Sequence, residues 1–185
     1  EGFPFLLDAA TSITQRGKIE AKARRGEPVP EGLVIDRDGA PMTDPDEILG
    51  ALVRGEASLL PLGGSDEETG GHKGYGYSTV VEVLSSALQG GAFLRAITGV
   101  NVGHFFMAVD ISAFTEAEEF KRAAGDIMRA LRASKRMPGR ERIYTPGEKE
   151  HLARLERTGA PINRSLRAEL AQMRDELGLE GYDFL

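Results

Sequence analysis

The chain has 185 residues, of which 41% are hydrophobic and 28% charged, enough for a globular domain with a core. It contains no cysteine, which excludes disulfides and thiolate metal sites and fits a cytoplasmic protein. A net charge of -6 argues against general nucleic-acid binding, and no apolar run approaches the roughly 20 residues that span a bilayer, so we predict neither a nucleic-acid nor a membrane partner.

The chain begins with a short apolar run and a helical pattern. Residues 3–7 are apolar and end at Asp8, which predicts a buried strand. Thr11 or Ser12 is expected to cap a helix that continues to about Arg25, because hydroxyl side chains accept the first free N–H groups of a helix.

The next segment combines extended and helical signals. Residues 33–36 predict a short extended piece that ends in an Asp-Arg-Asp-Gly turn. Asp44 with Glu47 resembles a capping box and predicts a short helix to about Val53. Residues 58–62 then predict a second short strand.

A glycine-rich stretch, residues 70–77, follows an acidic loop. It holds four glycines with His72 and Lys73, and we expect it to form a turn that leads into a helix from about Tyr75 to Gln89. A helix N-terminus presents free N–H groups and the positive end of its dipole, and Lys73 adds a full charge, so this stretch is the best candidate for meeting an anion. A surface loop whose glycines only make turns is the alternative.

The second half of the chain predicts one strand and three helices. Residues 101–111 alternate as a strand requires, and His104 within them is expected to be a core histidine. The three helix starts are expected at Thr115 with Glu118, at Thr145 with Glu148, and at Asn163.

Several polar residues are ligand candidates on their chemistry alone. Asp8 suits ribose hydroxyls, although a capping or turn role is the simpler interpretation. Arg16 beside Gly17 suits a carboxylate, unless it is an ordinary solvated arginine. The basic run 129–142 suits either a nucleotide phosphate or the negative end of a helix dipole, and the sequence leaves both open. The three histidines lie far apart without ligand spacing, so no metal site is predicted.

Seven segments spread over nearly the whole chain carry a family pattern. They are residues 7–12, 16–18, 25–32, 60–63, 71–76, 103–110 and 137–139. The most specific is Gly-His-Lys-Gly-Tyr-Gly at residues 71–76. In this order the segments resemble the malate/L-lactate dehydrogenase family, whose members are NAD(P)-dependent 2-oxo-acid reductases without a Rossmann fingerprint.

The resemblance implies an α/β fold in which a mixed sheet, not a Rossmann sheet, binds the dinucleotide, with further C-terminal helices. It implies NAD or NADP as the cofactor, a small 2-oxo or 2-hydroxy acid as the substrate, and a homodimer. Arg16 and Gly17 would lie beside the substrate. The residues that would contact the cofactor are Asp8, Ala9, Ala10, His72, Lys73, Met137, Pro138, Gly139, Arg140 and Arg142.

The resemblance further implies that the chain is about the C-terminal half of an enzyme. Residues 1–142 would be part of the cofactor-binding domain, and residues 143–185 would be helices that pack on a missing N-terminal part of the same enzyme. The family's catalytic histidine belongs to that N-terminal part. No catalytic residue is therefore expected in this chain, which alone is expected to be inactive.

Three matters stay open. The same fold reduces cyclic imines of the piperideine-carboxylate type in some relatives. A truncated module that binds a nucleotide or a partner subunit without catalysis is a second alternative. The choice between NAD and NADP is also undecided.

Overall fold

The structure, a computed structural model that describes residues 3–99 and 102–182, combines α-helices with one small two-stranded sheet. Within these residues the α-helices are α1 (Arg16–Arg25), α2 (Pro45–Arg54), α3 (Gly71–Ser85), α4 (Ala117–Ala133), α5 (Glu148–Glu156) and α6 (Arg164–Leu177). Two short strands, β1 (Val34–Asp36) and β2 (Ala57–Leu59), pair antiparallel, with Val34 opposite Leu59.

The chain divides into two compact units. Ala9–Ala113 form one, which we call the central unit. The residues up to Asp8 and those from Phe114 onward form the other, which we call the terminal unit. The boundary predicted at residue 142 concerns the domains of the whole enzyme and stays a prediction.

The central unit has an apolar core between α1, α2 and the two strands. Its fully buried members are Ile19, Val29, Val34 and Ile48. Gly26 and Gly55 end α1 and α2 in the left-handed conformation, with φ of 64° and 68°, which glycine adopts without a Cβ clash. The two helices that pack on this core are therefore short, with ten residues each.

Local capping and turn signals in this unit are confirmed. The Asp44 carboxylate accepts the N–H groups of Asp46 and Glu47 at 2.9 and 3.0 Å, which caps α2. The Asp36 carboxylate accepts the N–H groups of Asp38 and Ala40 at 2.9 and 2.8 Å and closes the predicted turn.

The cap predicted at Thr11 or Ser12 is wrong, because α1 begins only at Arg16. Both residues instead lie in an extended segment that pairs with residues 60–62, where the Leu62 N–H donates to the Thr11 carbonyl at 2.9 Å. The backbone hydrogen bonds of this segment go to a distant part of the sequence, which a local capping rule does not detect.

The start predicted for α3 is also wrong. The helix begins at Gly71 rather than near Tyr75, so the glycine-rich stretch is mostly helical. A Cβ on Gly74 would lie 2.6 Å from the Leu62 nitrogen and overlap the Leu62 carbonyl oxygen. A Cβ on Gly71 would overlap the Gly64 carbonyl oxygen. These glycines permit close backbone packing, which outweighs their low helix propensity.

Two predicted strands are absent from the described residues. Residues 3–7 and 102–110 have no ladder partner there, and Asn101 lies outside the described ranges. Phe106 is 88% exposed. His104, predicted to be in the core, is exposed, and its ring stacks on that phenylalanine at 6.2 Å between centroids. Alternation suits a sheet, but a strand also needs a hydrogen-bonded neighbour.

The terminal unit is built from α4, α5 and α6. Asn163 caps α6 as predicted, since its side chain accepts the Leu166 N–H at 2.8 Å. The capping box predicted at Thr115 and Glu118 is wrong, because the N-cap of α4 is Glu116 and no side chain caps it. The two buried side chains among the described residues of this unit are Thr145 and Glu148, both polar.

A glycine comparison in α3 tests the packing argument. Replacing Gly74 by Ala should lower the free energy of unfolding by roughly 2–3 kcal/mol, because the methyl group meets rigid backbone. The matched change Gly76→Ala, where nothing lies within 4 Å of the added Cβ, should raise it by about 0.5–1 kcal/mol. Urea unfolding followed by circular dichroism measures both. Equal effects of the two substitutions would contradict the close contact.

Candidate functional site

The residues predicted to bind ligands are divided between the two units. The central unit holds Ala9, Ala10, Arg16, Gly17, His72 and Lys73. The terminal unit holds Asp8, Met137, Pro138, Gly139, Arg140 and Arg142. Each unit therefore carries part of the predicted set of ligand-binding residues.

In the central unit, one series of backbone contacts brings two predicted cofactor segments together. Ala9 and Ala10 directly precede Thr11, whose carbonyl accepts the Leu62 N–H. The Leu62 backbone in turn packs against Gly74, in the first turns of α3. The Ala9–Ala10 segment and the helix start that carries His72 and Lys73 are thus fixed to the same short piece of backbone.

The first turn of α3 offers fewer free N–H groups than the sequence predicts. The Gly71 N–H donates to the Asp66 carbonyl at 2.8 Å, and the Lys73 N–H donates to the Gly70 carbonyl at 3.0 Å. The His72 N–H has no acceptor within residues 3–99 and 102–182. An anion at this helix end would therefore meet one amide and the exposed side chains of His72 and Lys73.

The acidic loop before α3 is held by its own hydrogen bonds. The Asp66 carboxylate accepts the Thr69 N–H at 2.8 Å and the Thr69 hydroxyl at 2.9 Å. These bonds, the N–H first, hold the pKa of Asp66 below its ordinary value. Asp66 is therefore engaged in shaping the turn that ends at Gly70, the N-cap of α3.

Arg16 lies at the start of α1 with its side chain in solvent. Its Nε donates to Glu20 Oε1 at 2.9 Å, an i, i+4 pair in which both side chains are exposed. Such surface pairs contribute little free energy, so Glu20 competes weakly with a carboxylate ligand. Nothing lies within 4 Å of the Cβ position at Gly17, which leaves open space beside this arginine.

In the terminal unit, Asp8 borders an open cleft of about 550 Å³. The cleft is also lined by Leu7, Tyr144, Gly147 and Lys149. The Lys149 ammonium lies 5.0 Å from the centroid of the Tyr144 ring, a cation–π distance. The cleft thus combines two carboxylates, those of Asp8 and Glu150, with an aromatic ring and a cation.

Glu148 is the centre of the terminal unit and is only 1% exposed. Its carboxylate accepts the Arg132 Nε–H at 2.9 Å and the Thr145 N–H at 3.0 Å, and it pairs with Arg142. These partners, the Thr145 N–H first, outweigh burial and lower the pKa of Glu148 to about 2. The Thr145–Glu148 bond was predicted from the capping pattern, although α5 starts only at Glu148. The two arginine partners had no signal in the sequence.

The extended N-terminal segment joins this cluster through Phe3. The Arg132 guanidinium lies 5.4 Å from the centroid of the Phe3 ring, and the His151 ring stacks on it at 5.0 Å. His151, which resembles an ordinary helix-surface residue in sequence, is half-buried. Phe3 therefore contacts one side chain from α4 and one from α5.

The loop of predicted cofactor contacts, residues 137–142, ends at one arginine partner of Glu148 and follows the helix that carries the other. Arg132 precedes the loop and Arg142 ends it, and both pair with that carboxylate. Within the loop the Arg140 N–H donates to the Met137 carbonyl at 3.1 Å, and Gly139 takes a φ of 76°. Met137 is exposed. The loop is a turn whose position depends on a buried ion-pair cluster.

Two other kinds of site are not found. No group of three or more His, Cys, Asp or Glu side chains in the described ranges suits a metal ion. Among the same residues, no helix is both long and apolar enough to cross a bilayer.

Known proteins similar to this chain are oxidoreductases. The chain is 40% identical to the malate dehydrogenase of Pyrococcus horikoshii, over 96% of this chain and 50% of that enzyme. It is 34% identical to the Delta(1)-pyrroline-2-carboxylate reductase of Ancylobacter novellus, over 91% of this chain and 48% of that protein. The solved malate dehydrogenase of Entamoeba histolytica superposes with a TM-score of 0.88 at 38% identity, covering 97% of this chain and 52% of that one.

These relatives place the chain in a class of dehydrogenases and reductases with an α/β fold that is rich in helices. The sequence profile of malate/L-lactate dehydrogenase matches residues 1–171. The chain belongs to the malate/L-lactate dehydrogenase family. It spans about half the length of the curated relatives it matches.

The Glu148 cluster gives a stability prediction with a defined pH dependence. Because the folded pKa is about 2 and the ordinary value is 4.5, the stabilisation is complete above pH 4.5 and is lost as pH falls towards 2. Replacing Glu148 by Gln should therefore lower the free energy of unfolding by roughly 2–3 kcal/mol at pH 7 and by much less near pH 2.

Urea unfolding at several pH values measures this difference. The control is Glu150→Gln, an exposed position on the same helix, for which we expect a change within about 0.5 kcal/mol. A Glu148→Gln variant as stable as the wild type at pH 7 would contradict the network.

Proposed function

We propose that the protein containing this chain interconverts a 2-oxo acid and a 2-hydroxy acid with NAD or NADP. The observation that carries this proposal is the family membership over residues 1–171. The malate dehydrogenases among the relatives support it. The nicotinamide cofactor, when bound, supplies or accepts the hydride. The residues of this chain bind and orient the two reactants.

The helix start of α3 is the proposed cofactor contact of the central unit. His72 and Lys73 are exposed there, and Lys73 supplies the positive charge that a pyrophosphate needs. Ala9 and Ala10 have short side chains. The next residue, Thr11, is hydrogen-bonded to Leu62, whose backbone packs against Gly74 of α3. Small residues and a cation that are linked through this backbone fit a dinucleotide lying along it.

In the terminal unit, the proposed cofactor contacts are Asp8 and the 137–142 loop. Asp8 is exposed at its cleft and can accept ribose hydroxyls. The exposed face of the loop carries Met137, Pro138, Gly139 and Arg140, while Arg142 is partly engaged by Glu148. A loop held in one conformation by that pair loses less entropy when it binds a ligand.

Arg16 is the proposed substrate ligand, with Gly17 leaving room for the substrate beside it. A guanidinium matches the two oxygens of a carboxylate, which every 2-oxo acid carries. Its pair with Glu20 is exposed and weak, so a substrate carboxylate can replace it.

The proton donor is proposed to be a histidine that is not among the three of this chain. His104 stacks on Phe106 and His151 stacks on Phe3, while His72 is assigned to the cofactor. In the whole protein we further propose a non-Rossmann mixed sheet, the domain division at residue 142, a homodimer and a cytoplasmic location. The lack of cysteine fits the last of these.

Reduction of a cyclic imine is the second candidate function. It is favoured by the 34% identity to a Delta(1)-pyrroline-2-carboxylate reductase over 91% of this chain. A cyclic imine acid carries the same carboxylate that Arg16 would bind. The two functions therefore share their cofactor and their anion contact, and they differ in the atom that accepts the hydride.

Turnover of the full-length protein tests the function. Oxidation of NADH or NADPH, followed by absorbance, is expected with oxaloacetate, pyruvate or sulfopyruvate. The 185-residue chain alone should show none. Turnover only with a cyclic imine acid would select the second candidate. Absence of turnover with every 2-oxo acid and cyclic imine would refute both and leave the non-catalytic module.

Lys73 provides a test of the cofactor contact. Replacing Lys73 by Ala should raise the dissociation constant of the cofactor about tenfold, because one charge-assisted contact is lost. The control is Lys121→Ala, an exposed lysine on α4 that pairs with Glu118 and should leave binding unchanged. A cofactor affinity that is the same in Lys73→Ala and wild type would count against the assignment.

A further inference from the structure

A basic groove of about 640 Å³ lies in the terminal unit, between the end of α4 and residues 141–143, where the 137–142 loop ends. Its charged lining consists of Arg132, Lys135, Arg136, Glu141 and Arg142. Cations thus outnumber carboxylates in the lining. The groove borders the loop that is proposed to contact the cofactor.

Two of these cations already form ion pairs within the protein. Arg132 and Arg142 both pair with the buried Glu148. Arg129, an earlier member of the same basic run, pairs with Asp126 at 2.7 Å. Charge compensation therefore accounts for these three arginines without a ligand.

Lys135 and Arg136 are different. Both are exposed, and Lys135 has no charged partner in the part of the chain that the structure describes. Arg136 Nη1 donates to the Glu141 carbonyl at 2.5 Å, and its other donors have no acceptor within residues 3–99 and 102–182. The groove therefore presents one oriented guanidinium and one ammonium next to each other in sequence.

The helix dipole does not explain this pair. α4 ends at Ala133 with Ser134 as its C-cap, and the one basic residue in its last turn is Arg132. The dipole effect falls off within the last turn of a helix. Lys135 and Arg136 follow the cap, so the dipole interpretation covers Arg132 but not them.

We propose that Lys135 and Arg136 form a binding site for a phosphate monoester. Given the proposed function, on which this step rests, the ligand is the 2′-phosphate of NADP, and the enzyme prefers NADP to NAD. A phosphate monoester carries close to two negative charges at neutral pH and accepts a bidentate guanidinium bond. NAD carries a hydroxyl at that position and gains little from two cations.

Titration of the full-length protein with NADPH and NADH tests the site. Wild type should bind NADPH at least about tenfold more tightly than NADH. Lys135→Gln and Arg136→Gln should each raise the NADPH dissociation constant about tenfold and change that of NADH less than about twofold. Arg154→Gln, an exposed arginine on α5, removes the same charge away from the groove and should change neither.

The outcomes separate the site from the proposed function. Equal wild-type affinity for the two nucleotides, or NADPH affinity unchanged in both variants, overturns the NADP assignment while the function stands. If wild type binds neither nucleotide, the proposed function fails. Titration with inorganic phosphate then tests whether Lys135 and Arg136 bind an anion at all. Phosphate binding that is lost in the variant carrying both Lys135→Gln and Arg136→Gln supports an anion site for a free phosphate. No phosphate binding overturns the site.

Discussion

The close approach of α3 to the backbone of residues 62–64 determines how the central unit presents its polar residues. Gly71 and Gly74 have no Cβ, so the first turns of the helix lie directly against the Leu62 and Gly64 carbonyls. Leu62 also donates to Thr11, which holds the extended N-terminal segment of the unit. The start of α3, residues 62–64 and the segment around Thr11 therefore meet through backbone atoms. A side chain larger than glycine at this contact would displace the helix start together with its exposed residues.

The terminal unit is organised by charge rather than by an apolar core. A buried carboxylate is costly unless its oxygens are satisfied, and Glu148 has two arginines and the Thr145 backbone as partners. Removing one partner of such a network leaves a buried charge without compensation, so the partners must stay together. The cluster therefore specifies where α4, α5 and the 137–142 loop meet, and Phe3 links the N-terminal segment to the same point.

Sequence reasoning succeeded where the deciding partner is a few residues away. Asp44 and Asn163 cap helices and Asp36 closes a turn, and each of these interactions is local. One local pattern failed, because Glu116 takes the N-cap position of α4 instead of Thr115. The other failures arose where the partner is distant. Thr11 pairs with Leu62 instead of capping α1, and residues 102–110 alternate without a neighbouring strand among the described residues. The Arg132–Glu148 pair, separated by sixteen positions, follows no periodic rule either.

The candidate site shows the same limit in chemical terms. The family pattern identified residues 71–76, but composition alone assigned the anion affinity to a turn rich in free N–H groups. In the structure the glycines serve packing, and the loop carbonyls of Asp66 and Gly70 take most of those N–H groups. The polar side chains of the motif, His72 and Lys73, are exposed and available to a ligand. The glycines of this motif thus let the helix start pack tightly, and the side chains between them are the groups that remain exposed.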